Sequence, residues 1–346
     1  MSKVWFTSVA SFRILCFLLP IILFSVAAPA DSSISPPSRD VQLTYTATLR
    51  NVPATARAID LWLPVAQDTD GQVVSKVTVA YPEGGAIGVE PRYGNKIWHK
   101  RFTAPFGVQL RDGALGAQIV FEIHRDEIVV PQAKSLADAP KGAAGLDAYL
   151  DENRLIPVRL DAITKTATEL KLADASPIRA ARSTYDWLIK EFTYNWKAPG
   201  AGIGDVRWAC DSKTGDCSDY HSMFIALMRN VGIPADHEFG FPIRTTAPEG
   251  RIPSYHCWAR FHAEGVGWIP LDASEADKHP ELFDYNFGSQ SANLLKFSHG
   301  RDVNLVPQQA GPALNKFIEP YAEIDGIPVA DHTIELVVTF KDIAAR

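Results

Sequence analysis

Cys217, His256 and Asp272 are the residues of this chain best suited to chemistry. Cys217 stands in Gly215-Asp216-Cys217-Ser218-Asp219-Tyr220-His221, directly before an apolar run with helical spacing. His256 stands in a segment of alternating character, and Asp272 closes the next one. A thiol is a weak nucleophile until it ionises, and a helix N-terminus supplies partial positive charge that favours the thiolate. The backbone N–H of Cys217 would then point at an oxyanion developing on a substrate carbonyl. A turn centred near Glu264 predicts His256 and Asp272 directly opposite one another on a hairpin, within hydrogen-bond reach. The aspartate would fix the tautomer and stabilise the imidazolium. The histidine would take the thiol proton and later give it to a leaving amine. Singly, each residue has a plainer reading: a small buried thiol, a core histidine, and a cap for the helix suggested by Ala273-Ser274-Glu275-Ala276. Their ordered combination is what points to a cysteine nucleophile.

The elements that must position these groups can be read around them. Ser218 to Asn230 predicts a helix with Phe224, Ile225, Leu227 and Met228 on its apolar face; Gly232 and Pro234 stop it. Ala235 to Phe241 reads as a strand. Ser254 to His262 alternates, with His256, Trp258, Arg260 and His262 on one face and Tyr255, Cys257, Ala259 and Phe261 on the other. Trp268 to Asp272 is the returning strand. Upstream, Asp161 to Ala173 is amphipathic. Ser176-Pro177 opens a further helix, along which Ile178, Ala181, Tyr185, Leu188 and Phe192 recur.

These residues reach a resemblance. Gly215-Asp216-Cys217, then Phe224-x-x-Leu227-x-Arg229-x-x-Gly232-Ile233-Pro234-Ala235, then His256-Cys257-Trp258, then Gly267-Trp268-x-Pro270-Leu271-Asp272 resembles the exported bacterial transglutaminase-like superfamily over about residues 180–275. The resemblance implies a papain-like core with Cys217 as nucleophile, His256 as base and Asp272 as its orienter. Gly300-Arg301-Asp302 and Pro320-Tyr321-Ala322-Glu323 resemble the C-terminal part of such proteins. Cross-linking members use a tryptophan N–H as a second oxyanion donor, which makes Trp208 and Trp196 the candidates here. The family holds cross-linkers, peptidases, amidases and inactive relatives, so the fold alone does not select a reaction.

Other positions carry smaller expectations. His221 shares a helix face with Cys217 and is assigned a supporting or packing role, Asp219 a capping role at the helix start, and Trp258 a place against the hairpin or the cleft wall. His262 reads as a solvated strand residue. Cys210, Cys257 and His221 lack the spacing of a structural zinc motif, and no acidic calcium loop of the EF-hand type is present. No cofactor is therefore expected.

The whole chain sets bounds. A length of 346 residues allows about two domains. A net charge of −6, with no basic run, argues against nucleic acid as the main partner. Lys3 and Arg13 precede an apolar run from Ile14 to Ala28 that is too short to span a bilayer comfortably and is interrupted by Pro20. Ala28-Pro29-Ala30 then offers small residues for cleavage after Ala30. Residues 1–30 thus read as a signal peptide, the alternative being an N-terminal membrane anchor. Cys16 lies within this run, leaving Cys210, Cys217 and Cys257 in the mature chain, an odd number. If Cys217 is free, Cys210 and Cys257 could bridge.

The expected architecture is α+β. A tether over 31–40 leads to an N-terminal β-sandwich over 41–132, read from short strands between Gly, Pro and Asp turns. A linker over 133–160, a papain-like transglutaminase-like catalytic domain over 161–280 and a C-terminal β-rich extension over 281–346 follow. The expected activity is thiol-dependent hydrolysis or transfer of an amide in a peptide or protein substrate, in a secreted or periplasmic protein. A protein cross-linker and a non-catalytic binding module of the same fold are the alternatives. Nothing in the sequence bears on oligomeric state.

Overall fold

The computed structural model describes residues 37–130, 141–142, 144–243 and 247–344. Eight strands come first: β1 (Ser38–Leu49), β2 (Ala58–Val65), β3 (Gln72–Tyr81), β4 (Ala86–Val89), β5 (Lys96–Thr103), β6 (Leu110–Arg111), β7 (Ala114–Asp126) and β8 (Ile128–Val129). The middle of the chain holds α1 (Asp161–Glu169), α2 (Pro177–Glu191), β9 (Thr193–Tyr194), α3 (Val206–Ser212), β10 (Thr214–Gly215) and α4 (Cys217–Asn230). β11 (Ala235–Pro242), β12 (Glu249–Ile252), β13 (His256–Ala263), β14 (Gly267–Leu271) and α5 (Ala273–Lys278) follow. The last strands are β15 (Ser289–Gln290), β16 (Leu294–His299), β17 (Tyr321–Ile324), β18 (Ile327–Pro328) and β19 (Ile334–Asp342). The fold is mixed, with mostly strands and few helices.

Among the described residues, three larger sheets build the molecule, beside the two-stranded pairs β10-β9 and β15-β8. The first runs β12-β19-β1-β7-β3, with β6 beside β7; the second runs β18-β17-β2-β5-β4; the third runs β14-β13-β11-β16. Strict alternation along β1 buries Val41, Leu43, Tyr45, Ala47 and Leu49 on one face. Leu115, Ala117, Ile119, Phe121 and Ile123 of β7 do the same, and these side chains share one core with Ile59, Leu61, Leu63 and Val65 of β2. Phe239, Phe241, Leu295 and Phe297 of the third sheet enter that core too. Phe297 lies stacked on Tyr45 and edge-on to Phe121 and Phe241.

The chain ends do not form a separate layer. β19 pairs antiparallel with β1, Val41 opposite Asp342, and β17 pairs with β2. The strands of residues 281–344 are therefore divided among the sheets: β15 joins β8 and β16 joins β11, while β17 and β19 complete the sheets begun by β2 and β1. β12 crosses in the other direction, from the segment between β11 and β13 onto β19. Residues 35–346 accordingly form one compact unit. β1 begins at Ser38, so the last residues expected in a tether belong to a strand. The expected linker is likewise structured from Asp147: Tyr149 packs on Tyr93 and Trp268, and Ile156 is fully buried.

A second core surrounds α4. Every residue of this helix from Cys217 to Arg229 is buried. α1, α2, α3 and α5 pack around it, and β11 and β13 cover its remaining side. The apolar face expected from Phe224, Ile225, Leu227 and Met228 is present, and the rest of the helix is enclosed as well. Gly240 shows how tightly the third sheet is built. A Cβ there would lie 2.0 Å from the Leu295 carbonyl oxygen, at a bulge in the β11–β16 pairing.

Candidate active site

Cys217 is the first residue of α4, and its thiol is 6% exposed. Asp216 caps the helix by accepting the Ser218 N–H at 2.7 Å, while Asp219 accepts the Asp216 N–H at 2.9 Å, forming a capping box. Asp219 also takes the N–H groups of Gly202 and Gly204 at 2.8 and 2.9 Å, strapping a neighbouring loop onto the first turn. The capping role expected of Asp219 is thus one of several that it fills. Gly215, at φ +148°, must be glycine for this geometry: a Cβ would lie 2.3 Å from Asp219 Oδ2. Arg301, almost fully buried, holds the same loop from the far side. It donates to the Ile203 carbonyl at 3.1 Å, to Ser222 Oγ of α4 at 3.2 Å and to Asn315 Oδ1 at 2.7 Å.

His256 opens β13, and Asp272 follows β14 as the N-cap of α5. His256 Nε2 and Asp272 Oδ2 are 2.6 Å apart. The hairpin does not place them directly opposite. Ala259 pairs with Leu271 and Ala263 with Gly267, so the turn centres on Gly265, one residue later than expected. Asp272 reaches His256 diagonally, from where the chain leaves the strand to begin α5. Its second oxygen stays in the cap, accepting the Glu275 N–H at 2.9 Å and the Ser274 hydroxyl at 2.8 Å. Asp272 therefore both caps a helix and orients an imidazole.

With Nε2 committed to Asp272, the other ring nitrogen of His256 is the one left for the Cys217 thiol, with which the ring is hydrogen-bonded. The electrostatics agree. A hydrogen bond from Cys257 lowers the Cys217 pKa; burial opposes this, but the His256 charge reinforces it, and the thiol ends well below its ordinary range. Burial disfavours charge on His256, yet the Asp272 and Cys217 charges raise its pKa well above normal. Asp272, despite burial, is pushed down by His256. Asp216 moves the other way, to about 6, through burial and the adjacent Cys217 charge. These directions all favour a thiolate on Cys217 and an imidazolium on His256, backed by the Asp272 carboxylate.

His221 lies one turn along α4 and is fully buried. Its Nε2 accepts the Ala273 N–H at 3.2 Å, so that nitrogen carries no proton, and its Nδ1 faces Cys257 Sγ at 3.9 Å. Burial keeps it neutral. This is the supporting place expected of it, between the helix that carries the thiol and the cap that carries the carboxylate. Trp258 donates to Glu238 Oε2 at 2.5 Å and packs beside the His256 ring. His262 is half-buried and packs edge-on against Trp268.

The two tryptophans considered for the oxyanion occupy different settings. Trp208 is half-buried on α3, where a Cβ on Gly200 would lie 2.8 Å from its Nε1. Trp196 is 64% exposed just beyond β9, with Lys197 over its ring. The neighbouring Asn195 N–H donates to the Gly215 carbonyl at 2.8 Å, which ties that segment to the approach of Cys217. Cys210 and Cys257 do not bridge. All three described cysteines are free; Cys210 lies 3.7 Å from the Met223 sulfur, and Cys257 lies against Ser218 and His221. The bridge fails because Cys210, on α3, packs on the second turn of α4, whereas β13 brings Cys257 to the first.

Tyr194, Tyr255, Lys316 and Glu275 also surround the site and had not been singled out. Tyr194 and Tyr255 are pushed up chiefly by burial and next by the Cys217 charge, and Lys316 Nζ donates to the Tyr255 hydroxyl at 2.5 Å. Position beside a motif was the one available signal: Tyr255 precedes His256, and Glu275 follows Asp272 by three residues. His256, Asp272 and Glu275 place possible metal-ligand atoms within 4.8 Å of one another. A cation there would compete for the His256 nitrogen already held by Asp272, and Glu275 is ion-paired to Lys278.

Residues 164–273 match the transglutaminase-like superfamily model, and this segment forms a transglutaminase-like core. An uncharacterised protein of Haemophilus influenzae is 26% identical over 306 residues, covering 78% of this chain and 82% of that protein. A structure from Cytophaga hutchinsonii, provisionally designated a cysteine protease, superposes with a TM-score of 0.57 at 14% identity, over 90% of this chain and 93% of that one. The likeness is one of fold. The periplasmic domain of TgpA from Pseudomonas aeruginosa superposes with a TM-score of 0.39 at 14% identity, over 72% of this chain and 92% of that domain.

Two variants at Asp272 separate its roles. Asp272→Asn keeps a capping oxygen and removes the charge; alkylation of Cys217 at mildly acidic pH should slow by roughly tenfold, the equivalent of one pKa unit. Asp272→Ala should show the same slowing and in addition lose about 1 kcal/mol in urea unfolding, the usual worth of an N-cap. Equal alkylation rates in Asp272→Asn and wild type would mean that the carboxylate charge does not support the pair.

Proposed function

We propose that this protein is a thiol-dependent amidase or peptidase acting on peptide or protein substrates through a Cys217 acyl-enzyme. The observation that carries the reading is the 2.6 Å contact between His256 Nε2 and Asp272 Oδ2, on a ring that is also hydrogen-bonded to a cysteine at a helix N-terminus. The Cys217 thiolate attacks the amide carbonyl carbon. Negative charge moves to the carbonyl oxygen, near the Cys217 N–H and the positive end of α4. Trp196 is our choice for a second donor, because its segment adjoins Gly215. His256 then delivers its proton to the departing nitrogen, and the C–N bond breaks. In the second half, His256 removes a proton from water, the resulting nucleophile displaces the thioester sulfur, and the acid is released.

A glutamine-containing peptide mixture incubated with a labelled primary amine tests the reading. Free acid should dominate the products, and Cys217→Ala should reduce turnover by about 10³-fold or more. Predominant amine incorporation would make the protein a cross-linking acyltransferase instead. Equal product with Cys217→Ala would remove the acyl-enzyme altogether.

We also propose that the protein is exported. Lys3, Arg13, the Ile14–Ala28 run and Ala28-Pro29-Ala30 support this; they lie outside the described residues. Among the described residues, no helix is long and apolar enough to cross a membrane. N-terminal sequencing of the protein from the cell envelope or medium should begin at Asp31. Membrane-embedded protein retaining Met1 would contradict cleavage and favour an anchor.

A further inference from the structure

Cys257 has no part in the mechanism above, yet it lies against the start of the helix that carries the nucleophile. Its side chain is fully buried. It lies 3.8 Å from Ser218 Oγ and 3.9 Å from His221 Nδ1, both on the first two turns of the helix that Cys217 opens. Its thiol is hydrogen-bonded to the Cys217 sulfur itself. An ordinary buried cysteine is inert. This one lies beside a sulfur whose thiolate form is favoured by His256, in a residue that remains 6% exposed. A hydroperoxide is among the smallest reagents that could use such exposure. His221 Nε2 accepts the Ala273 N–H, so the ring proton sits on Nδ1, which faces the Cys257 sulfur.

We infer that Cys217 and Cys257 form a reversible oxidation site, with Cys217 as the peroxide-reactive thiol and Cys257 as its resolving partner. The Cys217 thiolate attacks the O–O bond of a hydroperoxide. An S–O bond forms, the O–O bond breaks, and the departing oxygen takes a proton from the His256 imidazolium. Cys217 is now a sulfenic acid. The Cys257 sulfur attacks the Cys217 sulfur, the S–O bond breaks, and water leaves with the Cys257 proton. The two sulfurs have lost two electrons and the peroxide has gained them. A dithiol reductant reverses the step by exchange. The consequence is protection: the nucleophile is parked as a disulfide before it can reach the irreversible sulfinic and sulfonic states. Cys210 takes no part, since it faces Met223 on the other side of α4.

The inference rests on Cys217 being a thiolate, and its test reads mass, not turnover, so the two proposals can fail separately. Trypsin separates the three thiols into residues 208–213, 214–229 and 252–260. Wild-type protein is treated with a small excess of hydrogen peroxide, blocked with an alkylating agent and digested without reduction. The expected product joins 214–229 to 252–260 with the loss of two hydrogens, and dithiothreitol returns both peptides to the alkylatable form. Under the same treatment Cys257→Ala should carry two added oxygens on 214–229, which dithiothreitol does not remove. Cys210→Ser should behave as wild type, and it keeps the test informative if Cys257→Ala does not fold. Wild-type protein with an over-oxidised Cys217 and a freely alkylated Cys257 would overturn the inference. A disulfide joining Cys217 to Cys210, or to a second copy of the chain, would do the same.

Discussion

The site depends on keeping three ionisable groups together in a place where water barely reaches. Cys217, His256 and Asp272 are each more than nine-tenths buried. Withdrawing an unpaired charge from water costs several kcal/mol. Burial works against charge on each of the three. Each is held charged by the next: the carboxylate by the imidazolium, the imidazolium by carboxylate and thiolate, the thiolate by the imidazolium and two hydrogen bonds. The arrangement tolerates little displacement, and much of the surrounding architecture limits it.

Each charged group is fixed by a backbone feature that the sequence builds locally. Cys217 is tied to the start of α4 by the Asp216–Asp219 box, and the loop before α3 is tied to the same turn by Asp219 and Arg301. Asp272 is held by its own cap of α5. His256 is held by β13, which shares its sheet with β11, and β11 is clamped in turn by Gly240 against β16. Because α4 is enclosed on all sides, a shift at the thiol must move either the helices around it or the third sheet. Burial that is costly for the charges thus secures their positions.

The local elements were legible because their signals are local. Helix start and stop residues around Cys217, Ser176-Pro177 and Gly232 correspond to α4 and α2, and alternation from Ser254 corresponds to β13. The grouping of Cys217, His256 and Asp272 could be read from order and spacing. What escaped was whatever depends on pairing between distant segments. Nothing in Ile334–Asp342 announces β1 as its partner, nor in Tyr321–Ile324 its place beside β2, because strand alternation specifies a face and not a neighbour. The hairpin offset arose from a three-residue turn about Gly265, invisible to a count that assumed direct opposition. A bridge between Cys210 and Cys257 was open on sequence alone, since it turns on which turn of α4 each thiol meets.

The central claim is that Cys217 is a thiolate because of His256. The direct measurement is thiolate ultraviolet absorbance against pH, taken as the difference between wild type and Cys217→Ala and repeated in a His256→Ala background. The account predicts that the wild-type difference persists well below the ordinary thiol range of about 8.5, and that removing His256 moves its midpoint upward. A wild-type midpoint in the ordinary thiol range, unmoved by His256→Ala, would contradict it.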